Sequence, residues 1–579
     1  MIAKFLLYID SVRRFNLKQL YYFIVNKFIK KYLFVLHKYK PKKYDDFGGL
    51  FENLHSVKIN NGLNIFNVGI TKKYNINNYY NQLELELLNN SLHNFSFENL
   101  NDFQIANNLQ RFYLFDNVIK DNKLDSNKNL SLILKWIKNY PKQKNIAWNS
   151  FNCSMRLLNW IRILSNFSEN QIDKENLNII VNSINEQALF IKKNIEHHIP
   201  GNHIIMQYFS LWMVSIVFNK WENYDELLIF SEKMLKRELK KEFLPNGFHV
   251  EQSFHYHLQI TLMGLYWLYL SKEFDRFISE RIKNIIKRAS EICFEFRLPD
   301  GSFPMLSDNC YNFFNEDIFS DFENFKFLFN KIFGSCLKTN DNSILELEQQ
   351  YLLFKNRENY LLFDIGNIGL KCNPGHGHSD LGNFIFAFNG VPLFIDPGVR
   401  NYSNNKDDLS LKKANSHNTL SVDNDDHAKL WGYFRWAYLP SNLKSRVLNE
   451  NGKVIFEFEY NAFKHLGGIQ HKRILTFNGN ELKIFDTATS KSKHVYKLTF
   501  ILHPAIGIKK CEGKIILSNF SKEWIMQVEG DSNFETVIKD QLIYPNYSFP
   551  LKSKKLTFLF PENYLLNSKV VVKEFNKYD

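Results

Sequence analysis

Residues 247–270 read GFHVEQSFHYHLQITLMGLYWLYL, and this stretch decides the class of the first half of the fold. From His249 to Leu270 the apolar residues recur at intervals of three and four, which is typical of an amphipathic or buried helix. The same spacing continues on both sides, and turns such as Pro245-Asn246-Gly247 separate the runs. Many helices joined by short turns predict an α/α toroid or a stack of helical pairs. The other helical runs are Met155–Leu164, Ile172–Ile195, His203–Phe218, Tyr224–Phe243 and Phe277–Phe296.

After about residue 345 the pattern changes to short runs rich in Ile, Val, Phe and Tyr, separated by turns such as Asn478-Gly479. This is the pattern of an all-β sandwich. Because helices come first and strands second, we expect an α+β multidomain protein rather than an interleaved sheet. The predicted units are an N-terminal helical or irregular segment over 1–75, an α/α toroid catalytic domain over 76–340 and an antiparallel β-sandwich over 345–579. The predicted strands are Tyr360–Ile365, Asn383–Phe388, Val391–Ile395, Lys453–Phe458, Lys472–Phe477, Leu482–Asp486, Tyr496–Leu502 and Lys514–Leu517.

Length and composition are those of a two-domain globular protein with a positive charge. The chain has 579 residues, which is more than one hydrophobic core usually supports. Its net charge of +13 favours anionic partners, including acidic polysaccharides. The lysines are spread along the chain without an RNA- or DNA-binding motif, so we expect no nucleic-acid partner. The aromatic content of 16% supplies rings that fill cores or stack on sugars.

The cysteines and the N-terminus bear on the compartment. The six cysteines are far apart without a CxxC pair, which argues against a disulfide framework and fits a reducing compartment. The apolar runs of residues 1–36 are broken by Asp10, Arg13, Arg14 and Lys18, so they predict neither a signal peptide nor a transmembrane segment. We expect a helix packed on its own domain and a cytoplasmic location. A basic amphipathic helix on a membrane, or a periplasmic location, is the alternative, and the oligomeric state stays open.

Two polar motifs stand at predicted helix starts. In the first, Asn202 and His203 follow Pro200-Gly201, where an Asn either caps the helix or helps its N-terminus to attract a carboxylate. The second is residues 249–257, with three histidines, a Glu, a Gln and a Tyr. Gln252 and Tyr256 are four apart and are expected on one helical face, as are Glu251 and His255. A buried polar network and an active site both explain this crowding.

Two further motifs lie among the predicted strands. In GHGHSD, residues 375–380, alternate side chains of an extended strand would point to the same face. Asp396 closes the run Val391–Ile395, and His417 comes just before another strand. Two imidazoles and a carboxylate from these motifs make a three-ligand zinc site that leaves one position open.

At these residues the sequence resembles the heparinase II/III family of polysaccharide lyases, which are related to oligoalginate lyases. The resemblance covers nearly the whole chain and implies an α/α toroid followed by an antiparallel β-sandwich. It also implies carbohydrate metabolism, namely β-elimination on a uronate-containing acidic polysaccharide or oligosaccharide. The matching stretches, in the order of the family, are SMRLLNW at Arg156, GNHII at Asn202, NGFHVEQSFHYH at Tyr256, PDGSFPMLSDN at Asp300, GHGHSDLGNF at His376, FIDPG at Asp396 and SHNTLSVD at His417.

The resemblance implies a role for each catalytic candidate. Asn202 with His203 would neutralise the uronate carboxylate, and Tyr256 would protonate the leaving oxygen. His376 would be the base that removes the C5 proton, with His255 as a nearby reserve. The family also uses a tyrosine as base, which could be Tyr256 itself, and Tyr402 is the candidate for a second catalytic tyrosine. A phenol with an unperturbed pKa of about 10 is a competent acid at neutral pH but a poor base.

The resemblance also implies binding and metal residues. His378, Asp396 and His417 match the metal positions of the family, where zinc has a mainly structural role; no organic cofactor is expected. The candidates for substrate binding are Arg156, Gln252, His255 and Arg435. An arginine there would bind a carboxylate or sulfate through two parallel hydrogen bonds.

Two other functions compete with the lyase. A glycoside hydrolase on a helical toroid would use two carboxylates, for which Asp300, Asp308 and Glu251 are candidates. A non-catalytic glycan-binding or assembly protein would keep the fold without turnover. The combination of Asn202 and Tyr256 with a histidine favours the lyase, acting within the cell or in the cell's own surface-polysaccharide pathway.

Overall fold

The structure is a computed structural model, and it describes most of the chain beyond residue 125. The first helices are α1 (Ile2–Val12), α2 (Leu17–Ile24) and α3 (Leu50–Ser56). Residues 58–75 of the predicted N-terminal segment lie outside the described residues. The described residues are 2–25, 41–44, 47, 49–57, 107, 110–112, 126–140, 146–219, 224–309, 318–337, 342–450, 452–511, 513–530, 533–546 and 549–575.

A set of long helices forms the first large unit, and the expected toroid-like arrangement is confirmed. Nearly every side chain of the helices over 202–217 and 254–273 is buried, because these helices are apolar on all sides and lie inside the unit. The helices over 224–242 and 280–295 bury one stripe and form its outer layer. The bounds are α4 (Ser126–Asn139), α5 (Ser150–Leu164), α6 (Lys174–Lys193), α7 (Asn202–Val217), α8 (Tyr224–Glu242), α9 (Phe254–Glu273), α10 (Glu280–Glu295) and α11 (Ile318–Phe333).

Antiparallel sheets form the second unit, as the pattern after residue 345 predicts. One sheet has five strands in the order β1 to β5. Their bounds are β1 (Ser343–Leu347), β2 (Tyr351–Lys355), β3 (Tyr360–Asp364), β4 (Phe384–Phe388) and β5 (Val391–Phe394).

The larger sheet has ten strands, and its long path runs from β13 to β9 through β17 and β12. A two-stranded hairpin, β7 with β8, and the short helix α12 (Lys406–Leu411) stand apart from both sheets. The remaining bounds are β6 (Leu420–Val422), β7 (Lys429–Gly432), β8 (Arg435–Ala437), β9 (Ser441–Glu450), β10 (Lys453–Ala462), β11 (Ile469–Phe477), β12 (Glu481–Ile501), β13 (Gly507–Cys511), β14 (Lys514–Ser518), β15 (Glu523–Gly530), β16 (Glu535–Asn546) and β17 (Phe549–Glu574).

The five-stranded sheet is the middle of three layers. Strands β3 and β4 are buried on both faces. Leu362 and Ile385 face the helical core, whereas Phe363 and Phe386 face the core shared with the ten-stranded sheet. Alternate side chains of a strand point to opposite faces, so one sheet closes both cores. Loops that leave this sheet on its helical side therefore meet the helix starts, and the candidate site lies there.

Two local predictions about helix starts are wrong. Helix α9 begins at Phe254 rather than near His249, because Gln252 has a left-handed backbone with φ of 57° that interrupts the helix. At α7, Gly201 is the capping residue with φ of 108°, and Asn202 is the first residue of the helix rather than its cap. A side chain at position 201 would collide with the Glu251 carboxylate, so the close approach requires glycine there.

Candidate functional site

The site forms where three loops of the sandwich meet the starts of α7 and α9. The loops are residues 365–383 between β3 and β4, residues 395–405 after β5, and residues 412–419 before β6. They carry the histidine and aspartate motifs of the sequence analysis. Residues 375–380 form a turn followed by irregular backbone rather than the extended strand that the alternation predicted.

Asp308 is a buried carboxylate that organises the centre of the site. Its Oδ2 accepts a hydrogen bond from His376 Nδ1 at 2.9 Å, and its Oδ1 accepts one from His378 Nε2 at 2.9 Å. Lys412 Nζ and the Tyr433 hydroxyl each donate to Oδ1 at 3.2 Å. Burial alone would raise the pKa of Asp308, but Lys412 and the two histidines outweigh it and hold the pKa far below its usual range. Asp308 is therefore a fixed negative charge.

The Asp308 carboxylate fixes the proton on each histidine ring. Because a carboxylate only accepts, His376 must donate through Nδ1, which leaves its Nε2 free to take a proton. In the same way His378 donates through Nε2, and its Nδ1 is left as a lone pair. His376 retains 14% side-chain exposure whereas His378 is completely buried. Of these two rings, His376 is the one that a substrate can reach.

Two tyrosines lie against His376. The Tyr256 hydroxyl is 3.2 Å from the Tyr402 hydroxyl, and the Tyr256 ring centroid is 4.1 Å from that of His376. Burial and the negative Asp308 raise the pKa of Tyr256 well above 10, although the hydrogen bond with Tyr402 opposes the shift. Tyr256 is therefore protonated at neutral pH and can act as an acid.

Glu251 connects the start of α7 to His376. The backbone N–H of Asn202 donates to Glu251 Oε1 at 2.6 Å, and Glu251 Oε2 lies 3.5 Å from His376 Nε2. The first N–H of the helix is therefore already used by a protein carboxylate. The side-chain amide of Asn202, which is 4% exposed as a residue, is the group left to meet a substrate carboxylate.

His203 is held at the edge of the same helix start. Its Nδ1 lies 3.0 Å from Glu196 Oε2, and its ring stacks on Phe151 with centroids 4.1 Å apart. Glu196 also accepts from Gln207 at 2.6 Å. The His203 side chain is 29% exposed, so it follows Asn202 toward solvent with its orientation fixed by two contacts.

His378, Asp396 and His417 form a buried triad whose ligand atoms lie within 4.8 Å of one another. His417 Nδ1 is 2.8 Å from Asp396 Oδ2, while His378 Nδ1 and His417 Nε2 have no hydrogen-bond partner among the described residues. Buried polar atoms without partners are costly, and burial lowers the pKa of His378 to about 4, which keeps that ring neutral. Although burial opposes the shift, the neighbouring Asp396 raises the pKa of His417. Two imidazoles and one carboxylate are a donor set that fits zinc.

A second buried group of potential metal ligands consists of Glu242, His249 and Glu251. One ligand atom of each residue lies within 4.8 Å of the others. His249 Nε2 is 3.0 Å from Glu242 Oε2, and the Glu251 N–H points to His249 Nδ1 at 3.4 Å. Both nitrogens of His249 thus have protein partners. This contact set positions Glu251 for Asn202 and His376.

Two of the four predicted substrate-binding residues, Arg156 and Gln252, lie differently from the expectation, and Arg435 is exposed. Arg156 is completely buried and donates to Gln187 Oε1 at 2.8 Å and to the carbonyls of Gln110 and Ala147, so its assignment to substrate binding is wrong. Gln252 precedes α9, so it does not share a helical face with Tyr256. Arg435 is exposed on β8 and lies over the Trp431 ring at 5.4 Å.

His255, the fourth residue, is buried behind Tyr256 with ring centroids 4.8 Å apart. Burial and the nearby His376 lower the pKa of His255 well below 6.5, so it is neutral. The Tyr256 ring thus has His255 edge-on to it, and its other described histidine contact is with His376 at 4.1 Å.

Sequence reasoning missed the residues that surround His376. Lys412 is completely buried, and its ammonium lies 4.4 Å from the Tyr433 ring centroid. Phe434 is 44% exposed although its ring contacts His376 at 5.7 Å and Tyr402 at 5.4 Å. A large apolar ring exposed beside polar catalytic candidates is a signal for a sugar-binding platform, but only the fold places it there.

Comparison with known proteins gives a consistent result over both units. Residues 59–331 match the family model described as Heparinase II/III N-terminus, and residues 347–564 match Heparinase II/III-like, C-terminal. A heparin-sulfate lyase of Bacteroides thetaiotaomicron is 22% identical over 420 residues, which is 65% of this chain and 56% of that protein. The chain thus spans little more than half the length of this curated relative.

Solved structures share the fold. A crystal structure of heparinase III is similar with a TM-score of 0.68 at 18% identity, and the match covers 81% of this chain and 77% of the heparinase III chain. The heparan sulfate lyase HepC from Pedobacter heparinus has a TM-score of 0.57 at 15% identity, with 83% and 78% covered. These similarities agree with the helical unit followed by antiparallel sheets described above.

Proposed function

This chain belongs to the heparinase II/III family, and we propose that it is a polysaccharide lyase that cleaves a glycosaminoglycan-type, uronate-containing glycan by β-elimination. The observation that carries the proposal is the contact of Tyr256 with both Tyr402 and His376, at 3.2 Å between hydroxyls and 4.1 Å between ring centroids. Elimination needs a proton donor and a proton acceptor around one sugar, and these three side chains provide them.

We propose that His376 Nε2 removes the C5 proton of the uronate. Asp308 accepts from the Nδ1–H of His376 at 2.9 Å, which leaves the lone pair of Nε2 for the proton. Asp308 and the Glu251 carboxylate, which lies 3.5 Å from Nε2, both stabilise the imidazolium that forms. Tyr256 then donates its hydroxyl proton to the glycosidic oxygen as the bond from C4 to that oxygen breaks. Tyr402, 3.2 Å away, is the group able to return a proton to Tyr256.

The negative charge that grows on the uronate carboxylate must be stabilised before the weakly acidic C5 proton can leave. We assign this role to the side-chain amide of Asn202 at the start of α7, with His203 beside it. Donors that are already oriented stabilise charge that develops in a transition state without reorganising. The contacts of Glu251 and Glu196 orient these two residues.

We propose zinc for the triad of His378, Asp396 and His417. When bound, zinc would supply a fixed positive charge and a crosslink among the loops of the sandwich rather than a reacting group. Asp308 connects this triad to His376 through His378, so an ordered triad also orders the base.

The hydrolase alternative is weakened by the carboxylates themselves. Asp308 is paired with a lysine and two histidines, and the pairing keeps it ionised and inaccessible as a proton donor. Asp300 caps its own turn by accepting from Ser302 at 2.9 Å. A hydrolase needs one carboxylic acid and one free carboxylate across the bond, and among the described residues these three candidates do not provide such a pair.

The test is the ultraviolet absorbance of an unsaturated uronate while the purified protein acts on heparan sulfate, heparin, chondroitin sulfate and alginate. We expect absorbance with at least one of them and a loss of about two to four orders of magnitude in kcat/KM for Tyr256→Phe. Tyr266→Phe is the matched control, because it removes a hydroxyl from the same helix, where it donates to the Val57 carbonyl. Saturated reducing ends without absorbance would contradict the proposal.

A further inference from the structure

The first two helices expose apolar side chains to solvent and bury polar ones, which is the reverse of an ordinary amphipathic surface helix. On α1, Phe5, Leu6 and Ile9 are 61%, 51% and 45% exposed. On α2 the outward residues are Leu17, Tyr21 and Ile24, with Leu17 at 87% exposure. We call these six residues the apolar helix face. Among the described residues, six of the eighteen large apolar side chains that are exposed lie on these two helices, which have only 11 and 8 residues.

The polar side of α1 faces the protein. Asp10 is 4% exposed and accepts a hydrogen bond from the Tyr438 N–H at 2.8 Å. Ser11 donates to the Trp436 carbonyl at 3.0 Å, and Arg14 donates to the same carbonyl. These bonds attach the helix to the hairpin of β7 and β8 through its polar side. Rolling the helix to bury its apolar face would break them.

The second helix is held in a similar way. Gln19 is 2% exposed, and its side chain interacts with Cys372 and caps the start of the helix by accepting from the Asn16 N–H at 3.1 Å. The Tyr22 ring lies 4.6 Å from that of His197 in the helical unit. Tyr8 and Phe23 join the two helices with ring centroids 6.3 Å apart. The orientation of the apolar helix face is therefore fixed by contacts on its opposite side.

Basic groups surround this helix pair. Lys18 lies within electrostatic range of Arg237 and Lys241. At the other side, Lys464 is in range of Arg13 and Lys371. The acidic groups in the same neighbourhoods, Asp10 and Glu238, are buried and paired with Arg13 and Lys241. The helix pair thus presents exposed apolar groups, and the charged groups near it are mostly positive.

We propose that the apolar helix face docks this protein on the surface of an anionic lipid bilayer. Apolar side chains of an interfacial helix enter the boundary between headgroups and acyl chains, while lysines and arginines bind anionic headgroups. A protein partner would also cover apolar groups, but the excess of basic groups near these helices favours an anionic surface. Among the described residues no helix is long and apolar enough to cross a membrane, and the docking we propose is peripheral.

The experiment is cosedimentation of the full chain with vesicles of phosphatidylcholine alone and with added phosphatidylserine. We expect binding to the anionic vesicles that weakens severalfold when salt is raised, because salt screens surface charge. The triple variant Leu6→Gln, Leu17→Gln and Tyr21→Gln should bind at least about tenfold more weakly, since each side chain loses its apolar transfer energy. Circular dichroism should show the fold of the variant unchanged, because all three residues are exposed.

The matched control is Phe277→Gln, Phe520→Gln and Tyr564→Gln, which removes three exposed apolar side chains outside the helix pair. It should bind vesicles as the unmodified chain does. Equal loss in both variants, or no binding to anionic vesicles, overturns the proposal. If light scattering instead shows a dimer that only the first variant dissociates, a second copy of the chain covers this face, which also overturns it.

Discussion

Asp308 accepts a hydrogen bond from His376 Nδ1 at 2.9 Å, and the two residues are separated by 68 positions in sequence. The other oxygen of the same carboxylate accepts from His378, a member of the metal triad. One fixed charge thus orients both the proposed base and a proposed zinc ligand. The proton position on each ring follows from this carboxylate, so substitution of Asp308 is the sharpest test of the mechanism.

Asp308→Asn should lower kcat/KM by about two to four orders of magnitude, because an amide no longer enforces the Nδ1–H form of His376. It also leaves Lys412 buried without its partner, which costs about 3–5 kcal/mol of stability. The double variant Asp308→Asn with Lys412→Met removes that unpaired charge. We expect its unfolding midpoint to recover while its activity stays low. Recovered activity would show that Asp308 serves stability alone.

The control for Asp308 is Asp300→Asn, a carboxylate on the neighbouring turn that accepts only from Ser302 among its described contacts. Its kcat/KM and the pH at which activity is half-maximal should match those of the unmodified protein. If both variants shift the pH profile equally, the effect is a general loss of negative charge and our account of His376 fails.

The raised pKa of Tyr256 predicts that its hydroxyl does not ionise near pH 10. Burial and Asp308 raise this pKa well above 10. Because the folded pKa is above the unfolded one, the associated stability is present below pH 10 and is lost as pH rises through the folded pKa. The difference in tyrosinate absorbance between the unmodified chain and Tyr256→Phe should therefore show no step near pH 10. A full step there would contradict the buried, protonated acid.

The periodicity of the sequence was sufficient to predict the two units and their order. Continuous apolar spacing over 254–270 distinguishes the inner helix α9, and two-residue alternation in β10 distinguishes the larger sheet. The same patterns did not predict the start of α9, because Gln252 adopts a left-handed backbone that no periodicity encodes. The motifs singled out His376 and Tyr256, and the structure brings these two residues into contact.

The burial of individual polar side chains and their pairing with residues distant in sequence could not be predicted from the sequence. Arg156 looks like a substrate ligand in a one-dimensional motif, yet its guanidinium lies 3.9 Å from the Trp136 ring inside the helical core. Lys412 pairs with Asp308 across 104 positions, and neither residue lies in a spacing that marks the contact. Such partners emerge only when loops from the sandwich meet the helix starts, which depends on the three-layer packing.

Phe434 should act as a platform for a sugar ring beside His376. Its ring is 44% exposed and contacts both His376 and Tyr402. Phe434→Ala should raise KM about three- to tenfold, corresponding to about 0.5–1.5 kcal/mol of lost aromatic contact, with little change in kcat. Steady-state kinetics on the substrate found in the panel measures this. Phe520→Ala removes a fully exposed ring elsewhere and should leave KM unchanged; a change in kcat alone would assign Phe434 to positioning His376.

Arg473 and Asp486 should support the loops of the site from the larger sheet. Arg473 donates to both Asp486 oxygens, at 2.7 and 3.0 Å, and to the carbonyls of Gly382 and Asn418. Asp486→Asn leaves a buried guanidinium unpaired and should cost about 3–5 kcal/mol in the free energy of unfolding. Denaturant titration measures the loss. Asp540→Asn breaks an exposed pair with Lys554 and should cause no measurable change; equal losses would contradict the special role of the buried pair.

The metal triad gives the last prediction. His378→Ala should remove bound zinc measured by elemental analysis, whereas His503→Ala, at a histidine outside the triad, should retain it. Because a metal that binds only the folded state stabilises it, zinc at about 100 times its dissociation constant should contribute about 2.7 kcal/mol. A chelator should therefore lower the unfolding temperature of the unmodified chain and of His503→Ala but not that of His378→Ala. Zinc retained by His378→Ala would mean that these three residues do not hold the metal.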